Sequence, residues 1–318
     1  MNVLSFVIAA LTGTSAARNF VAASAAPVSI WRRVKRCGMA LSSVLPIRIE
    51  AACYTPEMRV GLLLCCAALL SAQWINYPTP GLPRTKDGKP NLSAPTPRTS
   101  DKKPDLSGVW GSILPARQVP AVAPGEPTFL NIENFLAPGS SMEMLPPALA
   151  LYREHRRVLG ANRPSERCLP HGIPDAMIIP GAPTKIVQTP GLTLLLYEEF
   201  TRFRQIFTDG RPFPAELNPA WVGSSIGRWE GDTFVVETAG FNDKTWLDDY
   251  GHPHSDAMRT TERFHRVDVG HLNLEITFND PAYYAKPWTI RMQFQLMPDT
   301  DLIEDVCENE KDNAHTIR

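Results

Sequence analysis

The sequence predicts an all-β fold: a largely antiparallel meander closing into a barrel, with one peripheral helix and a proline-rich N-terminal segment outside it. Three observations carry this. Strand-length segments follow one another from 184 to 296, most of them bounded by turn residues. In two of them the alternation is strict: Leu272, Leu274, Ile276 and Phe278 oppose Asn273, Glu275 and Thr277, and Trp288, Ile290, Met292, Phe294 and Leu296 oppose Thr289, Arg291, Gln293 and Gln295. The stretch 221–246, which holds three of the seven tryptophans, reads as a hairpin. Its strands are 224–229 and 233–241, and Glu230-Gly231-Asp232 supplies the turn. Sequential strands with one polar and one apolar face close into a barrel or pack as a sandwich.

The chain has 318 residues, 43% hydrophobic and 20% charged, which suits one large globular domain or two small ones. Its 30 prolines concentrate between Pro78 and Pro190, so that part is not regular throughout. The formal net charge of −1 hides an asymmetry: residues 1–73 carry seven Lys/Arg and two Asp/Glu, leaving 25 basic against 31 acidic residues. A mildly acidic body argues against a nucleic-acid partner.

The N-terminal residues read as processing sequence. Met58-Arg59 is a short basic start, 60–70 an apolar run, and Ser71-Ala72 a small-residue cleavage site, which together make 58–72 a signal peptide. The run is too short to span a bilayer, so the mature chain is expected to have no transmembrane segment and to be periplasmic or secreted. Residues 1–57 mix an apolar start at 6–17 with Arg32, Arg33, Lys35 and Arg36. They are either an over-long gene model, with translation starting at Met58, or a long leader. The expected organisation is then a proline-rich linker at 73–104, a single barrel domain at 105–310 and a tail at 311–318. Export would leave two of the six cysteines, Cys168 and Cys307. Two cysteines in an oxidising compartment pair; the alternative is two buried thiols.

In chain order, the linker contains a repeat: 83–93 recurs as 97–107, and its proline and lysine content favours extended, solvated backbone. Residues 105–110 open the body. The best helix is 146–160, with Pro147 in its first turn, Leu151, Tyr152, His155, Val158 and Leu159 on one face, and Arg156 and Arg157 near its C-terminus. His155 reads as packing. Prolines on both sides of His171, at 170 and 174, stiffen 168–174. The strands at 184–188, 192–198 and 201–207 precede the hairpin; 259–268, 271–279 and 288–296 follow it, and 301–307 is a possible last strand. With 105–110 these make nine or ten.

Gly108-x-Trp110 at the first strand resembles the lipocalin signature, in which the tryptophan plugs one end of a barrel. The proline-rich 114–127 departs from it. Segments 104–110, 168–174, 197–211, 221–241, 246–266 and 280–288 together resemble a family of exported bacterial proteins with no assigned activity. That resemblance covers most of 74–310, including Trp229-Glu230-Gly231-Asp232 and Gly251-His252-Pro253-His254-Ser255. The likeness to lipocalins and other calycins implies a barrel with an apolar ligand cavity, though fold does not fix function.

The densest polar loop is 251–256, preceded by Asp248 and Asp249 and followed by Glu262. A histidine oriented by a carboxylate can act as acid or base. The expected catalytic set is therefore His254 with Glu262 or Asp248. A solvated loop capped by Ser255 or Asp256 is the alternative. His252 and His254, two residues apart around a proline, match no tight metal-ligand motif, and no metal is assigned. Ser225 in Gly223–Gly227 lacks the strand–turn–helix context of a hydrolase elbow. There is no phosphate loop, dinucleotide fingerprint or CxxC, so no cofactor is assigned. His171, Trp221, Trp246 and Tyr284 are the candidate ligand-lining residues, with core packing the alternative for the aromatics. Three readings follow: an exported protein binding a small apolar or aromatic ligand inside the barrel, a cofactor-free acid–base enzyme (hydrolase, lyase or isomerase), or a structural envelope protein.

Overall fold

A computed structural model describes residues 77–115, 130–157, 162–179 and 181–307. The expected leader and signal peptide (1–72), the tail (311–318), residues 116–129 and the helix end at 158–160 lie outside the described residues.

Nine strands form one closed barrel: β1 (Gly108–Ile113), β2 (Thr184–Thr189), β3 (Leu192–Tyr197), β4 (Arg202–Phe207), β5 (Ser224–Glu230), β6 (Thr233–Ala239), β7 (Arg259–Arg266), β8 (His271–Asn279) and β9 (Trp288–Leu296). Each pairs with the next, and β1 closes the ring against β9, with Trp110 opposite Leu296 and Ile113 opposite Gln293. Every junction is antiparallel except β4–β5, which is parallel over Ile206–Ser225 and Phe207–Ile226. A parallel neighbour needs a crossover. Residues 208–223, with Pro212, Pro214 and Pro219, carry the chain from one end of the barrel to the other. The β5–β6 hairpin turns on Gly231 at φ +61°, a left-handed first position that matches the twist of the flanking strands.

The two ends of the barrel differ. At the turn end the connections are short: 190–191, 231–232 and 267–270. Trp110 plugs this end, as the Gly-x-Trp resemblance implies. It is buried, its indole N–H donates to Leu106 O at 2.9 Å, and the Arg266 guanidinium sits 4.8 Å over its ring. At the loop end lie the described parts of the long insertion between β1 and β2, together with 240–258 and 280–287.

The axis between them is filled. Ile186, Leu195, Ile206, Phe234, Phe264, Leu274, Met292 and Phe294 are all at most 3% exposed. Above them runs a polar layer. Arg204 donates to both carboxylate oxygens of Glu262, to Ser225 Oγ at 3.0 Å and to Thr238 Oγ1 at 2.6 Å. Burying this pair is sustainable because nearly every guanidinium donor finds an acceptor.

The segment expected to be a solvated linker takes a defined shape. Each repeat folds into a small loop closed by a bridge, Arg84 with Pro90 and Arg98 with Pro104. In each, a threonine N–H reaches a lysine carbonyl: Thr85 to Lys89 O at 2.8 Å and Thr99 to Lys103 O at 2.9 Å. In each, the arginine docks on an aspartate at the turn end: Arg84 on Asp299, and Arg98 on both oxygens of Asp232 at 2.9 and 2.6 Å. The residues between and after the loops seal the barrel, since Val269 N–H donates to Ala94 O and Gly270 N–H to Leu92 O.

Helix α1 (Pro146–Arg157) forms as expected, but its buried position is Ala148, and Leu151 is 39% exposed. Tyr152 and His155 provide its contact with the loop end. The possible tenth strand at 301–307 does not form. Those residues run as a strap along the barrel wall, where Lys185 Nζ meets Asp301 Oδ1 at 2.6 Å and Ile303 N–H donates to Glu198 Oε2 at 3.0 Å. The strap ends in the expected disulfide, Cys168–Cys307, with the Cα atoms 5.5 Å apart. Among the described residues no helix is long and apolar enough to cross a membrane.

Candidate ligand cleft at the loop end

The candidate residues divide into a packed layer and a cleft. The layer is built around Asp248. Its Oδ1 accepts from the N–H groups of Gly251 and His252 at 2.9 and 3.1 Å, and its Oδ2 from Ile132 N–H at 2.7 Å. His252 Nδ1 adds a fourth bond to Oδ2 at 2.6 Å, and its Nε2 faces Glu133 Oε1 at 3.3 Å. Burial pushes the His252 pKa down, but the charge and hydrogen bond of Asp248, with Glu133, more than reverse this and hold it at about 9. Tyr152 stacks on the ring at 4.5 Å, and His155 stacks on Trp246 at 4.0 Å. The helix approaches so closely that a β-carbon at Gly251, itself at φ +93°, would lie 2.5 Å from His155 Cβ.

His254 does not make the expected acid–base pair. It is buried; Nδ1 donates to Ser255 O at 3.1 Å and Nε2 accepts from Thr245 Oγ1 at 2.5 Å. Burial lowers its pKa, which favours this neutral ring. Both expected partners are engaged elsewhere, Glu262 with Arg204 in the barrel and Asp248 with His252. Trp246 and Tyr284 also belong to the packed layer. Trp246 is 7% exposed, and Tyr284 donates its hydroxyl to Pro253 O at 2.7 Å.

His171 and Trp221 do come together. They line a cleft of about 270 Å³ at the loop-end rim, where β3 ends and β4 begins, with Tyr197, Glu199 and Phe200. The stiff segment around His171 leads into α2 (Asp175–Ile178), a single turn that places Asp175 four residues on. His171 Nδ1 is hydrogen-bonded to Asp175 Oδ2, and Nε2 lies 3.2 Å from Glu199 Oε2 without the alignment of a hydrogen bond. Burial depresses the pKa of His171; the charge and hydrogen bond of Asp175, then Glu199, outweigh it and raise it to about 10. Phe200 packs 5.4 Å from the ring, and it and Thr201 both have positive φ, 56° and 49°. The strap secures this wall: Asp305 accepts from Phe200 N–H through Oδ2 and from the Thr201 hydroxyl through its carbonyl.

Three buried polar atoms here have no hydrogen-bond partner among the described residues: His171 Nε2, Asp175 Oδ1 and Glu199 Oε2. Behind them, Asp249 is paired with Arg163, yet burial and the nearby charge of Asp175 lift its pKa to about 6.

Asp175, Tyr197, Glu199 and Arg204 were not among the candidate residues. The spacing of Asp175 from His171 is visible in the sequence, as the Asp248–His252 spacing is. Nothing local marks Tyr197 and Glu199, which only the barrel rim brings to His171. No family model matches this chain, and neither a curated protein nor a solved structure matches it.

Proposed function

We propose that this chain is an exported small-molecule-binding protein whose site is the rim cleft around His171 and not the barrel axis. The observation that carries the reading is the pair of buried polar atoms, His171 Nε2 and Glu199 Oε2, that lack a hydrogen-bond partner in a cleft also lined by Phe200 and Trp221. A buried polar group left unpaired costs about 1–3 kcal/mol, which a ligand that pairs with it recovers. The filled axis argues against a ligand held there, as lipocalin likeness would have it. Export is supported by the Cys168–Cys307 bond, which an oxidising compartment preserves, and by the leader-like sequence before Gln73. The resemblance to exported bacterial proteins agrees with it.

The test is a ligand-observed NMR screen of small apolar and aromatic compounds on residues 74–318, repeated on Trp221→Ala and His171→Gln. Hits that bind the parent and lose binding in both variants are expected. Hits whose binding survives both variants would place the site elsewhere.

A second reading is favoured by one observation. Asp175 holds Nδ1 of His171 while Nε2, facing Glu199 Oε2 at 3.2 Å, has no hydrogen-bond partner among the described residues, the arrangement of an oriented acid–base histidine. The raised pKa makes its resting role that of a proton donor. The acid–base enzyme, if this chain is one, uses His171 with Asp175 in place of His254.

A further inference from the structure

We propose that the rim cleft recognises a small organic cation: a primary or secondary ammonium on an aromatic or apolar body. This rests on the cleft being the ligand site and names what it takes.

The argument starts from charge. The buried groups are His171, Asp175 and Glu199, with side chains 7%, 4% and 17% exposed. With His171 protonated the set carries one net negative charge, and with the ring neutral it carries two. A cation moves the set towards balance in either state, and an anion adds to the excess. Asp175 already repels its neighbour Asp249 strongly enough to contribute, after burial, to that carboxyl's raised pKa. Arg202 also lines the cleft, but it is exposed at the mouth, where water and salt screen its charge. The cation seat lies deeper, against Glu199.

Hydrogen bonding points the same way. Glu199 Oε2 is a buried acceptor that no aligned donor satisfies. An ammonium N–H can donate to it. A carboxylate ligand has no donor to offer Glu199, and a quaternary ammonium has none either. The walls complete the fit. Trp221 and Phe200 present ring surface, which attracts a cation by its quadrupole and covers an apolar body. The 270 Å³ cleft is near the lower end of the range for small-molecule pockets, and a single-ring amine suits it.

The experiment is isothermal titration of residues 74–318, disulfide intact, with three ligands of one shape: 2-phenylethylammonium, 2-phenylethanol and 3-phenylpropionate. Each is also followed by protein-observed NMR, so that weak binding is seen. The ammonium is expected to bind roughly tenfold or more tightly than the alcohol, the value of one charge-assisted hydrogen bond, and the carboxylate more weakly than either. Glu199→Gln, checked for an unchanged melting temperature, is expected to remove most of that tenfold advantage while leaving the alcohol's affinity in place. Trp221→Leu is a second variant should Glu199→Gln fold poorly, and it is expected to weaken the ammonium more than the alcohol, because it removes the ring face but keeps an apolar side chain. Equal or tighter binding of the carboxylate or the alcohol in the unaltered protein would overturn the cation and leave the cleft standing as a site. Ammonium binding unchanged by Glu199→Gln or Trp221→Leu would do the same. If none of the three ligands shifts signals around the cleft, both the cation and the cleft reading fail together.

Discussion

His171 and His252 are built alike. Each has Nδ1 bonded to an aspartate four residues away, one following it and one preceding it, and each turns Nε2 towards a glutamate from another part of the chain. Both pKa values are raised from 6.5, to about 10 and about 9. A raised histidine pKa means that the fold binds the proton more tightly than the unfolded chain does. The stability so gained is fully present below about pH 6.5 and is lost as pH rises through 9 and then 10. The urea midpoint is therefore expected to fall between pH 7 and pH 10.5, and the double variant His171→Gln/His252→Gln, less stable at neutral pH, to show a flatter profile. Parallel profiles for the two proteins would refute the assignment. These pairs were half legible: the i, i+4 spacing is written in the chain, but the glutamates that complete them are 119 and 28 positions away. His254 misled for the converse reason. Proximity in sequence to Asp248 and Glu262 says nothing of who else competes for those carboxylates, and Arg204 and His252 outcompete it.

Among elements, the strands with clean alternation were the legible ones. β8 and β9 bury the residues their pattern names. β4 was not legible in this way, because Arg202, Phe203, Arg204, Gln205 and Ile206 allow either face to be the inner one. The barrel buries Arg204 and leaves Phe203 63% exposed, since Glu262, Ser225 and Thr238 give the guanidinium partners inside. The repeats were seen as sequence but not as structure: a proline- and lysine-rich stretch has no apolar periodicity to announce that it docks. Their equivalence exposes a local strain. Gly88 in the first loop has φ +80°, and its counterpart in the second is Lys102 at φ +64°. A side chain there costs roughly 1–2 kcal/mol, partly offset by the greater freedom glycine has when unfolded. Lys102→Gly is expected to stabilise the protein by about 0.5–1 kcal/mol, and Gly88→Lys to destabilise it by a similar amount. Urea midpoints measure both; a loss of stability in Lys102→Gly would sink the comparison.

At the scale of the whole molecule, barrel closure was legible because several strands from 184 onwards, β8 and β9 most clearly, have an apolar face needing cover. The filled axis was not, because side-chain volumes across nine strands meet only in three dimensions. The parallel β4–β5 junction was hidden too, since nothing in 208–223 announces a crossover. The disulfide was legible through the export argument, and it joins the two ends of a 139-residue separation. In the chain-entropy model a loop of that length contributes about 4–5 kcal/mol. Reduction is expected to lower the melting temperature by several degrees. It is also expected to weaken any ligand of the rim cleft, because the strap it releases holds Phe200 and Thr201. An unchanged melting temperature after complete reduction, verified by thiol titration, would contradict this.

The seam between β1 and β9 also sets an order in time. Trp110 is made early and its neighbour Leu296 nearly last, so a growing chain cannot complete its ring until β9 has been synthesised and released. Until that moment the nascent sheet has two bare margins, β1 on one side and β8 on the other, with unpaired backbone groups open to any passing strand. Thr79 and Asp299, which bond each other reciprocally through Oδ1 and Oγ1 at 2.9 and 2.8 Å, likewise meet only then. A chain that stops short of residue 288 therefore ends as an open, self-adhesive sheet and not as a slightly smaller barrel.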